Sequence, residues 1–548
     1  MDLNLALAQE AIAAAVPDRE CIVFRDRRLT WREVTERTRR LANALLDRGL
    51  GTVTPRESLA GHESGQDHLA IYLYNGNEYL EAMLGAFKAR LAPFNVNYRY
   101  VAEELRYLLD DAGAKAIVYQ SAFASTLAEV LPQLPDLTVL IQVADESEAD
   151  LLPGAVWYED MLAGASSAVP PTYPDPDDLY ILYTGGTTGM PKGVLWRQAD
   201  IFVEALGGRR TDQSAIETYD ELAIQATSPE GGLRAVLAPP FMHGAGHWMS
   251  FLTWHRGGTV FIQSHPERLD PVDVWSLIER EKVAFLLIVG DAFARPLLDE
   301  LDRGSYDLSS LTVLLSGGAP LSAPLKQEFL AHLPALIVVD GLGSSEAGGQ
   351  MQHVSAGGAA STGTFMLSAG NHVLSADLTR ELNAGDDEIG WLAKSGRLAL
   401  GYLGDAEKTA RTYPTVDGVR YAVPGDRARL RPDMIVELHG RDSVTINSGG
   451  EKIFAEEVEA ALRHHPAVYD AVVAGRPSER WGQEVVAVVR LREGHPPSAE
   501  TEAELLVECE RHIARYKLPK AFVFVDEVVR SPAGKADYRW ARAVVESA

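Results

Sequence analysis

The chain has little cysteine, a deficit of basic side chains and no long apolar run. Only Cys21 and Cys509 occur in 548 residues, so a disulfide scaffold and a cysteine-rich metal site are excluded. The 51 Lys and Arg residues against 77 Asp and Glu residues give a net charge of −26. Because nonspecific nucleic-acid or anionic-membrane binding needs a basic surface, neither partner is expected. No apolar stretch reaches the ~18 residues that a membrane span needs.

The N-terminal stretch "MDLNLALAQEAIAAAVPDRE" lacks the basic region with which a signal peptide begins, and it carries acidic residues early. We interpret it as a short helix and expect a cytoplasmic protein. The chain of 548 residues is too long for one hydrophobic core, and about two to four domains are expected. Cys509 shares a helical face with Leu506 and Ile513, which indicates a core position.

Most of the chain alternates apolar strands with amphipathic helices. In "LTVLLSGGAPLSAPLKQEFLAHLP" an apolar run at 311–315 precedes a Gly-Gly turn, and Ser322 is placed to cap a helix that ends near Leu333. Another strand follows at 335–341. This order predicts an α/β fold with mostly parallel sheets covered by helices. Glycine-rich segments follow Tyr183, Leu315 and Val339, and we expect all three at the carboxyl ends of strands, where such sheets bind ligands.

The pattern changes near residue 440. Short strands and two helical segments, at 455–464 and 502–514, predict a small α+β domain at 441–548 after a large N-terminal domain at 1–440, with a hinge near 441–444. Segment 347–376 contains no Asp, Glu, Lys or Arg. We interpret this segment as a loop region, either a mobile one or an ordinary solvated connection.

The segment "ILYTGGTTGMPKGV", at 181–194, is unlike the chain around it. Its glycines allow a tight turn whose exposed N–H groups form a concave anion site, and the threonine hydroxyls and Lys192 add donors and charge. The natural ligand of such a loop is a polyphosphate. The spacing matches neither G-x-x-x-x-G-K-[ST] nor G-x-G-x-x-G. A glycine-rich turn without a ligand is the alternative.

The words "YTGGTTGMPKG" resemble the phosphate-loop signature of adenylate-forming enzymes, which include acyl-CoA synthetases, luciferases and the adenylation domains of peptide synthetases. Gly185 stands where that signature has serine. Further motifs of the family follow in order: "SGGAP" at 316–320, "GLGSSE" ending at Glu346, "PGD" ending at Asp426, "GRDSVTINSGGEKI" from Gly440, and "RSPAGKADYRW" with Lys535. Leu342 replaces the tyrosine that usually stacks on adenine, and Ser443 replaces a charged hinge residue. The resemblance covers nearly the whole chain.

The resemblance implies a role for each matching residue. The catalytic residues would be Thr184, Lys192, His243, Glu346 and Lys535, with Glu346 also the Mg²⁺ ligand. Nucleotide and CoA binding would involve Thr187, Thr188, Gly189, Gly317, Gly318, Ala319, Asp340, Gly341, Leu342, Ser345, Asp426, Arg441, Gly449 and Gly450. Arg476 and Arg480 are candidates for the anionic end of CoA.

The implied activity is that of an AMP-forming acyl-CoA synthetase with ATP, Mg²⁺ and coenzyme A. Words such as "GDAFARPL" and "VVRSPAGKADYRWA" are similar to actinobacterial ligases for fatty acids or steroid side-chain acids. A hydrophobic small-molecule carboxylic acid is therefore the expected substrate, and a homodimer is a possible assembly. Two alternatives remain open: an enzyme that loads an acyl carrier protein, and a non-catalytic acyl- or nucleotide-binding module.

Overall fold

A computed structural model describes residues 2–184, 190–357, 362–441, 444–448, 451–478, 482–513, 515–531 and 534–548. The α-helices in these ranges are α1 Leu5–Ala15, α2 Trp31–Leu46, α3 Asn77–Lys88, α4 Ala102–Asp111, α5 Ala124–Val130, α6 Tyr158–Ala163, α7 Gln198–Ala205, α8 Tyr219–Thr227, α9 Gly244–His255, α10 Pro271–Glu281, α11 Gly290–Leu301, α12 Ala323–His332, α13 Ala406–Thr412, α14 Ala455–Leu462, α15 Ala499–Glu510 and α16 Tyr538–Ser547.

The strands of the first half of the chain are β1 Glu20–Phe24, β2 Arg27–Thr30, β3 His68–Tyr72, β4 Ala92–Asn95, β5 Ala114–Gln120, β6 Val139–Val143, β7 Ala155–Trp157, β8 Leu179–Thr184, β9 Lys192–Arg197, β10 Arg234–Leu237 and β11 Thr259–Ile262. Those of the second half are β12 Phe285–Ile288, β13 Val313–Gly317, β14 Ile337–Ser344, β15 Gly348–Ser355, β16 Thr364–Met366, β17 Asn371–Leu374, β18 Gly390–Lys394, β19 Gly401–Tyr402, β20 Thr415–Val416, β21 Val419–Arg420, β22 Asp426–Leu430, β23 Ile435–Arg441, β24 Thr445–Ser448, β25 Glu451–Phe454, β26 Val468–Ser478, β27 Gly482–Leu491 and β28 Ala521–Phe524.

Two mostly parallel sheets lie in the N-terminal part and confirm the predicted fold class, and antiparallel sheets of order β16-β23-β22-β18-β17, β19-β9-β8 and β20-β21 lie beside them. One has the order β15-β14-β13-β12-β10-β11-β1-β2, with antiparallel pairs only at its two edges. The other has the order β4-β3-β5-β6-β7 and is parallel throughout. Their strands are apolar on both faces because helices cover both sides, as in β12, where every residue is buried.

The glycine-rich segments do not all lie where the sequence pattern predicts. β13 is parallel and ends in glycine as expected. β8 instead pairs with β9 in antiparallel register, so the segment after Tyr183 is the loop of a hairpin. The segment after Val339 continues β14 to Ser344 before β15 returns antiparallel to it.

Segment 347–376 is not a loop region where the structure describes it. β15, β16 and β17 lie in it, with Ser355, Phe365 and Val373 buried. The uncharged composition that we interpreted as a loop is that of strands packed on the rest of the protein. The prediction was wrong because small residues favour turns in isolation, whereas here sheet neighbours determine the conformation.

The C-terminal part forms its own sheet and core. Its strands have the order β25-β24-β27-β26, and β28 pairs with β27. A separate apolar cluster holds this sheet to α14 and α15 and includes Ile446, Leu462 and Cys509. Both predicted helices are present, although α14 and α15 end earlier than expected. No helix among the described residues has the length and apolar character that a bilayer crossing requires.

Candidate active site

The phosphate-loop candidate joins two strand ends that are fixed by one carboxylate. Thr184 and Lys192 face each other in the β8–β9 register. Lys192 Nζ donates to Asp111 Oδ1 at 2.7 Å, and the Tyr183 hydroxyl donates to Asp111 Oδ2 at 2.9 Å. Burial opposes the charged form of Lys192, but its interactions with Asp111 and Tyr107 together outweigh burial and raise the pKa of Lys192. Asp111, the last residue of α4, therefore anchors both ends of the loop and keeps Lys192 charged.

Several predicted residues lie outside the described residues: Gly185, Thr187, Thr188 and Gly189 in the phosphate loop, Ser443 in the hinge, Gly449 and Gly450 in the proposed CoA loop, and Arg480. Their roles remain predictions. Arg476 is described, and its guanidinium pairs with Glu484 on the neighbouring strand at 2.8 Å.

The "SGGAP" turn leaves room for a side chain from the C-terminal part. Gly317 ends β13 and pairs with Gly341 of β14. Gly318 has a φ of +89°, and a Cβ placed on it would lie 3.9 Å from Lys535 Cε. Ala319 packs against the apolar cluster beneath the turn. The left-handed backbone at 318 favours glycine, whereas a Cβ there would make only ordinary van der Waals contact with Lys535.

Lys535 reaches this turn because its own loop rests on the connection between β12 and α11. Gly534 has a φ of +69°, and a Cβ placed on it would lie 3.0 Å from the Val289 carbonyl oxygen. The Lys535 side chain itself is exposed. The structure thus brings the C-terminal lysine to the carboxyl ends of the parallel strands.

His243 lies close to Lys535 and is held neutral. It precedes the first residue of α9, and its Nε2 atom is buried without a hydrogen-bond partner in the described part of the chain. Burial, reinforced by the positive charge of Lys535, lowers the pKa of His243 to about 3. A neutral imidazole with an unsatisfied buried nitrogen suits contact with a polar ligand group.

Glu346 sits in a polar cluster that the sequence motifs do not include. Its Oε1 accepts from the Tyr402 hydroxyl at 2.7 Å, and Lys408 Nζ lies 3.9 Å from the centre of the Tyr402 ring. Burial lowers the pKa of Lys408, and the charge of Glu346 partly opposes that shift. The carbonyl of the adjacent Ser345 accepts from Trp196 Nε1 at 2.8 Å.

The environment of Glu346 fits Mg²⁺ held mainly by a substrate. No group of three or more His, Cys, Asp or Glu side chains in the described ranges could hold a metal ion. Mg²⁺ commonly uses one or two carboxylates together with phosphates and waters, so a single glutamate is sufficient.

The Asp340 and Leu342 candidates lie along β14. Lys326, whose side chain is fully buried, donates its Nζ to Asp340 Oδ2. Burial raises the pKa of Asp340, although Lys326 opposes the shift. Leu342 is half-buried and packs on a cluster that includes Met351 and Phe365. Gly341, between Asp340 and Leu342, leaves the backbone open beside Gly317.

Asp426 and Arg441 are opposite each other at the edge where the two parts of the chain meet. They are partners in the antiparallel register of β22 and β23. Gly440 has a φ of +97°, a left-handed backbone that favours glycine, and a Cβ there would meet the flexible end of the Glu456 side chain at 2.2 Å. β23 ends at Arg441, and β24 begins at Thr445 in the C-terminal sheet.

The sequence motifs missed Asp111, Lys326, Tyr402 and Lys408. Asp111 and Lys192 are 81 positions apart, and no local pattern around Asp111 distinguishes it from Asp110. For Tyr402 and Lys408 the stretch "GYLGDAEKT" does contain a sequence signal, since an aromatic residue and a lysine follow a glycine at the end of an apolar run.

Comparison with known proteins finds similar proteins along nearly the whole chain. Residues 9–403 match the family model for the AMP-binding enzyme, and residues 457–535 match the model for the AMP-binding enzyme C-terminal domain. The medium-chain acyl-CoA ligase Mig of Mycobacterium avium is 55% identical over 533 residues, covering 97% of this chain and 96% of that protein.

A second relative is the medium/long-chain-fatty-acid–CoA/3-oxocholest-4-en-26-oate–CoA ligase of Mycolicibacterium smegmatis, 42% identical over 100% of this chain and 97% of that protein. Among solved structures, the anthranilate CoA ligase AuaEII in complex with anthranoyl-AMP aligns with a TM-score of 0.83 at 20% identity, covering 100% of this chain and 98% of that one. The chain therefore belongs to the family of AMP-binding enzymes, which agrees with the resemblance found in its sequence.

Proposed function

We propose that this chain activates a hydrophobic carboxylic acid with ATP and transfers the acyl group to CoA, giving acyl-CoA, AMP and pyrophosphate. The chain is an AMP-forming acid–CoA ligase by family, and its relatives of 42% and 55% identity over nearly their full length are CoA ligases. That full-length similarity carries the proposal. The position of Lys535 beside Gly318 and His243 supports it.

The chemistry needs activation because a carboxylate would have to expel oxide. In the first step a carboxylate oxygen attacks the α-phosphorus of ATP, and the bond to pyrophosphate breaks. In the second step the CoA thiol loses its proton, its sulfur attacks the adenylate carbonyl, and AMP leaves. Both steps move negative charge onto phosphate oxygens, so positioning and electrostatic stabilisation account for the catalysis.

The phosphate loop and its anchors would hold the β- and γ-phosphates. Thr184, Thr187, Thr188 and Lys192 supply hydroxyl and ammonium donors, and Gly189 leaves the backbone accessible. An ammonium group carries three donors, so Lys192 can contact Asp111 and a phosphate together. Glu346 would hold Mg²⁺, which neutralises phosphate charge when it is bound.

The nucleoside would lie along the ends of β13, β14 and β22. Gly317, Gly318 and Ala319 line one face of the adenine, and Leu342 replaces an aromatic partner on the other. Asp340, oriented by Lys326, accepts from the adenine amino group. Asp426 binds the ribose hydroxyls, and Arg441 contacts the ribose or a phosphate; Gly341 and Ser345 complete the wall.

Lys535 would bridge the carboxylate and the α-phosphate, and neutral His243 would face the acid. The domains are proposed at 1–440 and 441–548, with the hinge at 441–444 between β23 and β24. Rotation about this hinge would withdraw Lys535 and bring Gly449 and Gly450 to the CoA thiol. Glu484 pairs with Arg476, which reduces the positive charge that this candidate would offer the anionic end of CoA.

The acid is proposed to be a medium- or long-chain fatty acid, with a steroid side-chain acid as the second candidate. The Mycobacterium avium relative is named as a medium-chain acyl-CoA ligase. The Mycolicibacterium smegmatis relative is named for both fatty acids and 3-oxocholest-4-en-26-oate.

The experiment is AMP release with ATP, Mg²⁺ and CoA across a panel of acetate, octanoate, palmitate, benzoate and a 3-oxo-steroid acid. We expect octanoate or palmitate to give the highest kcat/KM and acetate to give almost none. Acetate or benzoate as the best substrate would contradict the substrate proposal. Thioester formed with CoA and no carrier protein would remove the carrier-loading alternative, and absence of carboxylate-dependent ATP–pyrophosphate exchange would favour a binding module.

A further inference from the structure

The loop that carries Lys535 is a closed turn. The Ser531 amide donates to the Lys535 carbonyl at 2.8 Å, and the Gly534 amide donates to the Ser531 carbonyl at 2.8 Å. The Lys535 amide donates to Ser531 Oγ at 3.2 Å. These bonds hold Ser531, Gly534 and Lys535 to one another, but they do not fix their position relative to the C-terminal sheet.

The guanidinium of Arg530 supplies that link. Its Nε donates to Asp470 Oδ2 at 2.7 Å and its Nη2 donates to Asp470 Oδ1 at 2.6 Å, a two-point fork. Its Nη1 donates to the Gly534 carbonyl at 3.0 Å. The two side chains are only 13% and 14% exposed, so solvent screens this pair less than a surface pair.

Asp470 is itself fixed. It lies in β26, which pairs with β27 along almost its whole length. Its Oδ1 also accepts from the Ala471 amide at 2.8 Å. The chain of contacts from β26 through Asp470 and Arg530 ends at the carbonyl of the residue immediately before Lys535.

The segment that carries Lys535 packs closely against the N-terminal part. Gly534 lies against Val289, where even a Cβ would come within 3.0 Å of a carbonyl oxygen. A displacement of ~1 Å in a reacting group can lower a rate by ~10²-fold. The bond from Arg530 to the Gly534 carbonyl lies one residue from Lys535, and its loss is therefore expected to slow adenylate formation.

We propose that Arg530 and Asp470 form a positioning pair that aims Lys535 at the adenylation site. Arg530 acts through the Gly534 carbonyl, to which its Nη1 donates. The inference rests on the proposed function, since it assigns the pair to the adenylation step. Lysine cannot replace Arg530, because a single ammonium group cannot reproduce a two-point fork and a third bond in one plane.

The test uses the full-length protein in two assays: carboxylate-dependent ATP–pyrophosphate exchange, and thioester formation from supplied acyl-AMP and CoA. Arg530→Ala, Arg530→Lys and Asp470→Asn are compared with Arg511→Ala, an arginine of the same domain that is 66% exposed. We expect each of the three to lower the kcat of exchange by ~10- to 100-fold, with the KM for ATP within ~2-fold and the thioester step within ~3-fold of wild type. Arg511→Ala should change neither assay.

A double variant, Arg530→Lys with Asp470→Asn, tests whether the two residues act as one unit. We expect exchange no slower than in the worse single variant, since contacting residues in one network are not additive. Unchanged exchange, full activity of Arg530→Lys, or an equal loss in both assays would overturn the inference, the last because it indicates a merely structural role. A wild-type protein inactive in both assays would refute the proposed function, and the inference with it.

Discussion

At the scale of single residues, Asp111 holds the two strand ends that flank the proposed phosphate loop. We expect Asp111→Asn to raise the KM for ATP by ~10-fold. The neutral amide forms no ion pair with Lys192, and it accepts a weaker hydrogen bond from the Tyr183 hydroxyl than the carboxylate does. Both loop ends then lose their anchor. Steady-state kinetics with ATP as the varied substrate measures the effect.

The matched control is Asp110→Asn, which changes an exposed carboxylate one position earlier on the same helix. It should leave the KM for ATP unchanged. An unchanged KM in Asp111→Asn would show that Asp111 does not organise the loop, and a lower KM would show that it competes with the phosphates for Lys192.

Buried histidines make the stability of the protein dependent on pH. Burial lowers the pKa of His255 to about 4 from the ordinary value of 6.5. The unfolded chain therefore binds more protons between those values, and stability is lost as pH falls below 6.5. One such group costs up to ~1.4 kcal/mol per pH unit across this window.

We expect His255→Gln to flatten the fall of Tm between pH 7 and pH 5, since glutamine does not titrate. The control is His265→Gln, at a site where the side chain is 56% exposed, and it should leave the slope unchanged. Equal slopes in His255→Gln and wild type would show that His255 is protonated in the folded state.

At the scale of elements, Asn95 at the end of β4 joins the phosphate loop to the loop before His243. Its amide donates to the carbonyls of Tyr183 at 2.8 Å and Met242 at 2.7 Å, and its oxygen accepts from the Tyr183 amide at 2.8 Å. One buried side chain thus holds the ends of two segments that carry predicted catalytic residues.

We expect Asn95→Ala to raise the KM for both ATP and the acid and to lower Tm, because each buried backbone group left without a partner costs ~1–3 kcal/mol. Asn383→Ala, at an exposed position, is the control and should change none of the three. A change in only one KM would mean that Asn95 does not couple the two loops.

The elements show how far the sequence predicts the site. The motif glycines and charged residues were identified by their local order in the sequence. Two of them from separate motifs, Gly318 and Lys535, lie close together in the structure, and their roles stay predictions. The β8–β9 hairpin was not predicted because the glycine-rich segment after Tyr183 was interpreted as the end of a parallel strand. The strands in 347–376 were not predicted because their small, uncharged residues favour turns in isolation. Asp111 and Lys326 were missed because only tertiary contact distinguishes them from ordinary charged residues.

At the scale of the whole molecule, the C-terminal part lies with its lysine over the N-terminal sheet. Arg463 of α14 places its Nε 3.5 Å from Asp291 Oδ2 of α11, across the boundary between the two parts. The Asp291 carboxylate also accepts from the Ser322 amide at the start of α12. This orientation fits the adenylation role proposed for Lys535, and rotation about the proposed hinge would break it for thioester formation.

The measurement that tests the account most directly separates the two half-reactions in Lys535→Ala. We expect carboxylate-dependent ATP–pyrophosphate exchange to fall by ~10²–10³-fold, because a group preorganised for the transition state is lost. Thioester formation from supplied acyl-AMP and CoA should stay near the wild-type rate. If both half-reactions fell together, or if exchange persisted, Lys535 would not be the adenylation lysine of a two-step, two-orientation enzyme.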